Sequence, residues 1–126
     1  MIPKLIISFE AAALIEGYRI LAFANAGADT TVSHAAANTD AFAGVSDKMG
    51  AAVGGMCDVH RAGIGEVQLG GAVSAGDPLT ADANGKAIVA APAAATVVRI
   101  IGFADAPGVA DDIISFLHAP GVINQG

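Results

Sequence analysis

The stretch GGAVSAGDPLTADANGKAIVA, residues 70–90, decides the fold. Gly70 and Gly71 close a preceding strand, and AGDP (75–78) makes a turn in which Pro78 fixes φ. LTA (79–81) then opens a new strand. Asn84 and Gly85 tolerate the positive φ that a type I′ turn demands, so KAIVA (86–90) folds back on it. The whole reads as a β-hairpin, with nothing in it that resembles reactive chemistry.

Upstream, MCDVHR (56–61) and IGEVQL (64–69) alternate as half-buried strands do. Cys57 and Val59 fall on one side, with Asp58 and His60 on the other. GAAVGG (50–55) reads as a loop, while TTVSHA (30–35) and AFAGVSD (41–47) read as weaker strands. YRILAFA (18–24) is a strand that ends in the turn residues NAGADT. Before it, SFEAAALIE (8–16) has Ser8 as N-cap, helix-favouring Ala and Leu, and Gly17 as a stop, so a short helix or an irregular arm is expected over residues 1–17.

Downstream, ATVVRIIGFAD (95–105) and DDIISFLHAP (111–120) are the most apolar segments, and their runs of branched residues suggest strands covered on both faces. VAAPAAAT (89–96) reads as a mobile loop. About eight short strands at close spacing give a mainly β fold, a small barrel or sandwich, in one domain over residues 1–126.

The chain is 54% hydrophobic but only 5% aromatic, with 16 Gly and no Trp. Ala and Gly bury little area each, so at about 25 cal/mol per Å² the core is thin. A small domain with a thin core finds further stability against copies of itself or a partner. The net charge of −6 and the scattering of Lys4, Arg19, Lys48, Arg61, Lys86 and Arg99 exclude nucleic acid as the main ligand. Cys57 is the only cysteine, so neither an intrachain disulfide nor a cysteine metal cluster is available. LIISFEAAALI (5–15) is interrupted by Glu10 and is far short of the roughly 20 residues that cross a bilayer. A soluble, unprocessed chain made in the cytoplasm is expected, with no membrane partner.

The chemical motifs favour structural readings. GAAVGG lacks the Lys-Ser/Thr ending of a phosphate loop, and GIGEVQLGG (63–71) does not match a dinucleotide fingerprint. CDVHR (57–61) gathers Cys57, Asp58, His60 and Arg61, the makings of a small thiol enzyme, but alternation sends the thiol to the face opposite His60. His34, His60 and His118 sit in separate segments without metal-ligand spacing, so no metal and no cofactor are expected. Asp111 and Asp112 read as turn residues. A small β module for a host-surface or carbohydrate ligand is the other alternative, and the scarcity of aromatics argues against it.

Four segments in order, SFEAAALIEGYRILAFA (8–24), AFAGVSD (41–47), CDVHRAGIGEVQLGGAVSAGDPLTADANGKAIVA (57–90) and RIIGFADAPGVADDIISFLHAPG (99–121), resemble the structural cement, or capsid decoration, proteins of tailed bacteriophages. VSAGDPLTADANGKAIVA (73–90) followed by IIGFA (100–104) is the most specific part. The resemblance implies a non-enzymatic β-rich virion protein on the outer surface of the head, whose partner is the major capsid protein and whose contacts reinforce the shell. It carries no catalytic residues onto this chain. Lattice symmetry favours a homo-oligomer, a trimer ahead of a dimer. The apolar arm from Ile2 to Ile15 is the candidate contact with the shell or a neighbouring copy, with Ile6, Phe9 and Leu14 as its contact residues.

Overall fold

A computed structural model describes residues 2–24, 27–91 and 96–125. Nine strands form one antiparallel sheet: β1 (Ile2–Glu10), β2 (Ile20–Phe23), β3 (Val32–His34), β4 (Phe42–Ser46), β5 (Met56–Gln68), β6 (Pro78–Ala81), β7 (Ala87–Val89), β8 (Thr96–Ala104) and β9 (Ile113–Gln125). The order is β3-β2-β4-β5-β9-β8-β6-β7, with β1 also paired to β5. The sheet curls into a half-barrel. Its far ends approach each other where the Ile20 N–H donates to the Gly85 carbonyl at 2.7 Å. Of the segment 89–96 read as a loop, residues 92–95 lie outside the described residues.

The hairpin of residues 70–90 forms, with Leu79, Thr80 and Ala81 opposite Val89, Ile88 and Ala87. Its turn differs from the type I′ reading. Gly85 has φ of 75°, whereas Asn84 is not in the positive region. The Asp82 carboxylate accepts from the Asn84 and Lys86 N–H groups at 2.8 and 3.0 Å. The Asp82 N–H meets the Lys86 carbonyl at 2.9 Å. The side chain of Asp82 therefore holds a three-residue loop in which only Gly85 needs the left-handed conformation.

No helix forms over Ser8–Glu16. Residues 2–10 pair with β5, placing Ile7 opposite Val59 and Phe9 opposite Cys57. The Ser8 hydroxyl donates to Asp58 Oδ1 at 2.8 Å instead of capping a helix. Ala11 and Ala12 donate to the Gly55 and Val32 carbonyls, and Ile15 exchanges bonds with Ala51. Cross-strand bonding and burial override the helix propensity of Ala and Leu here.

Two main cores lie on opposite faces of the sheet, and a smaller cluster joins Ala90, Val98 and Ile100. The inner one holds Ile20, Val45, Val67, Leu69, Leu79, Ile101, Ile114 and Phe116. The outer one holds Ala11, Ile15, Leu21, Val32, Ala43, Cys57 and Val59. β5 serves both because its facing changes midway. Cys57 and Val59 point to the outer core, whereas Val67 and Leu69, of the same parity, point to the inner one. Gly63, with φ of 84°, sits at the change, opposite a register slip in β1. The two sequence runs MCDVHR and IGEVQL are thus one bent strand.

Candidate docking surface

The residues 11–15 roof only part of the outer face. Beyond them the register sets Phe103 opposite Leu117 and Leu117 opposite Ile64, so the three share a face across β8, β9 and β5. Their neighbours Ala104, Phe116 and Gly65 point inward and are buried. Phe103 is 38% and Leu117 46% exposed, Ile113 is also exposed and Ile64 is half-buried. β8 and β9 were expected to be covered on both faces; they are covered on one. Contiguous exposed apolar rows of this kind mark interaction surfaces.

β1 flanks the same face. Because β1 and β4 both pair with Val59 and His60, they lie on opposite edges of β5. Among the described residues β1 has no strand on its other edge. Leu5, Ile6 and Ile7 are all exposed, so both faces of the strand meet solvent.

The three expected contact residues are not gathered at one spot. Ile6 is 48% exposed. Phe9 is half-buried, edge-on to Phe23 with ring centres 5.6 Å apart, and under the Arg61 guanidinium at 5.5 Å. Phe9 therefore anchors β1 to its own sheet more than it presents a contact. Leu14, 63% exposed, stands on the roofing segment between buried Ala11 and Ile15. Phe103, Leu117 and Ile113 were not singled out from sequence. The signal that reaches Ile113 and Leu117 is the alternation in IISFLH (113–118), where the odd members face out; Phe103 follows only from the register, which sets it opposite Leu117.

The groups that might have reacted are positioned otherwise. Burial first, then the Asp58 and Asp47 charges, push the Cys57 thiol up to about 11. It remains a thiol at neutral pH, and His60 lies on the opposite face, beside Val45 of the inner core. His60 Nε2 is 3.2 Å from Asp47 Oδ1. Neither ring nitrogen of His118 has a partner; its ring lies 4.5 Å from that of Phe116. Burial, with the His60 charge adding to it, lowers His118 to about 4. His34 is also lowered, by burial and then by Arg19, and its Nε2 accepts from the Glu16 N–H at 2.9 Å. Asp111, with φ of 71°, bonds Lys86 Nζ at 2.6 Å, which lowers its carboxyl below the usual range. Among the described residues no group of three or more His, Cys, Asp or Glu is arranged to hold a metal, and no helix is long and apolar enough to cross a membrane. A cleft of about 230 Å³ between Phe42, Arg99, Ile100, Pro120, Gly121 and Val122 is open and carries a single charged group.

A curled β scaffold with a bare apolar face and an unpaired edge strand defines an attachment module. The family model for phage cement proteins matches residues 15–115, and the chain belongs to that family. The match begins at Ile15, so β1 lies outside it. No curated protein matches in sequence. Among solved structures, the chain is similar to the N base of the head fiber gp8.5 of bacteriophage phi29, with a TM-score of 0.68 and 21% identity, over 91% of this chain and 93% of that one. The fold is therefore shared with a component of a phage head fiber, and a phage capsid-associated structural role follows from the family.

Proposed function

We propose that the chain decorates the outside of a phage head, binding major capsid protein subunits and reinforcing the contacts between them, without catalysing any reaction. The observation that carries this reading is the apolar row Phe103–Leu117–Ile64, which runs across three adjacent strands and is left partly bare. Such a surface adheres by area and shape. A shell that offers several sites at once holds it firmly even when each patch is modest, because every further contact forms at high effective concentration. The protein is made in the host cytoplasm, where a lone buried thiol suits a reducing environment. Copies associate with one another at symmetric lattice positions.

The test is to mix purified protein with undecorated, expanded heads and image the particles. Regular density on the outer lattice is expected. Leu117→Lys, a change at an exposed position that leaves folding within about 0.5 kcal/mol, should abolish that density. Absence of binding across a range of salt, or undiminished binding by Leu117→Lys, refutes the reading.

A further inference from the structure

The open cleft of about 230 Å³ is built around Arg99. The Arg99 N–H donates to the Asn38 carbonyl at 2.8 Å, so the chain leading into β4 runs against β8 and Phe42 forms one wall. Arg99 lies opposite Val122, and Ile100 opposite Gly121, in the β8–β9 ladder. Gly121 leaves room in the cleft, since a Cβ there would meet nothing closer than 3.9 Å. Among the described residues Arg19 and Lys86 bond carboxylates and Arg61 donates to the Ala43 carbonyl, whereas the Arg99 side chain has neither a hydrogen bond nor an ion pair. The chain carries 12 Asp and Glu against 6 Lys and Arg, yet none of these acids pairs with Arg99. Lys48 also lacks a partner, but it stands on an exposed turn and does not line the cleft. A cation that its own acidic chain leaves free, set among Phe42, Ile100 and Val122, is complementary to a carboxylate on an apolar stem.

We infer that this cleft receives one acidic side chain of a protein partner, its carboxylate bonded by the Arg99 guanidinium and its methylenes laid against Phe42, Ile100 and Val122. The volume falls below the range of about 300–1,000 Å³ that small-molecule sites occupy, which favours a side chain over a free cofactor. Inorganic phosphate would gain nothing from the apolar walls. A second copy is a poor occupant, because two chains of charge −6 repel each other. A guanidinium takes a carboxylate through two parallel N–H···O bonds, which fix orientation as well as adding affinity. Arg99 and Phe103 both lie on β8. The row Phe103–Leu117–Ile64 adheres by area, and the charged contact beside it sets the register of the docked partner. That this partner is the major capsid protein rests on the function proposed above, whereas the preference for a carboxylate rests on the cleft alone.

The test has two arms, both in the full chain. In the first, affinity for undecorated, expanded heads is measured at low and high salt. Arg99→Gln should weaken binding about tenfold at low salt and far less at high salt, because an exposed charge pair is screened. Arg99→Lys, which keeps the charge and loses the planar fork, should recover only part of the loss. Gly121→Val, which fills the cleft and leaves the charge, should weaken binding equally at both salts. In the second arm the isolated protein is titrated with millimolar N-acetyl-leucyl-glutamate amide and followed by nuclear magnetic resonance. The Arg99 guanidinium and Gly121 amide signals should shift, and neither the glutamine analogue of the peptide nor inorganic phosphate should move them. Equal head binding by the unmodified chain and Arg99→Gln at low salt overturns the inference and leaves head binding standing. A titration without shifts at Arg99 and Gly121 overturns it too, as do equal shifts with the glutamine peptide or phosphate, or a dimer that Arg99→Gln dissolves. If the unmodified chain binds no heads, the proposed function fails and the peptide titration decides the cleft alone.

Discussion

Acidification should weaken the fold, and the largest imidazole contribution comes from His118. Its ring packs on Phe116 and over Gly65, where an added Cβ would lie 3.0 Å from Nε2, and neither nitrogen has a hydrogen-bond partner. Burial, then the charge of His60, lowers its folded pKa from 6.5 to about 4. The unfolded chain thus takes up this proton near pH 6.5, while the folded chain holds it off until about pH 4. Stability from this source is complete above pH 6.5, declines as pH falls toward 4 and is flat below. At about 1.36 kcal/mol per unit the full shift corresponds to roughly 3 kcal/mol, and its half-buried position reduces that through solvent screening to about 2 kcal/mol. Urea unfolding of the wild type and His118→Leu at pH 7.5, 5.5 and 4 measures it. The variant should lose about 2 kcal/mol less than the wild type across that range. At pH 7.5 it should be no less stable, since removing two unpartnered buried nitrogens relieves about 1 kcal/mol. Parallel losses in the two proteins would refute the reasoning, because acid destabilisation would then come from other groups, His34 and the carboxylates among them.

Other consequences can be checked directly. Cys57 is fully buried with its thiol raised to about 11, so a disulfide-exchange reagent at pH 8 should leave the native protein unlabelled and label it stoichiometrically in denaturant; fast native labelling would contradict the buried placement. Gly102→Ala should destabilise by about 3 kcal/mol, because a Cβ there runs into the Leu117 carbonyl across the β8–β9 ladder. A thermal midpoint unchanged by that substitution would show that the two strands do not approach as described.

The hairpin at residues 70–90 was legible because its determinants are local: Pro78, Asn84 and Gly85 act on their own dihedral angles. The turn type was not, since it depends on which N–H groups the Asp82 carboxylate captures. Alternation correctly separated Cys57 from His60. It does not reveal that β5 changes facing at Gly63, because a bulge is defined by the register of a partner strand. The segment 8–16 reads as helical by propensity, yet the partner it meets in space is an extended strand. Runs of branched residues in β8 and β9 read as two-sided burial because sequence does not say whether a second layer exists to cover the outer face. Of the expected contacts, Ile6 and Leu14 are exposed. Phe9 is drawn into the outer core by Phe23 and Arg61, partners about 14 and 52 positions along the chain.

The scarcity of aromatics and the exposed face have one physical origin. A sheet of small branched side chains yields thin cores, the two larger ones inside the curl and beneath the roofing residues 11–15. Among the described residues the outer side chains Phe103, Leu117 and Ile113 of β8 and β9 stay exposed, and apolar character of this kind is satisfied by another molecule or remains a liability to solubility. The net charge of −6 keeps copies apart in general. Association is thereby directed to surfaces that lack charge, such as Phe103–Leu117–Ile64. In the role proposed above, no reactive centre is called for, because the free energy contributed on docking is that of the apolar area covered.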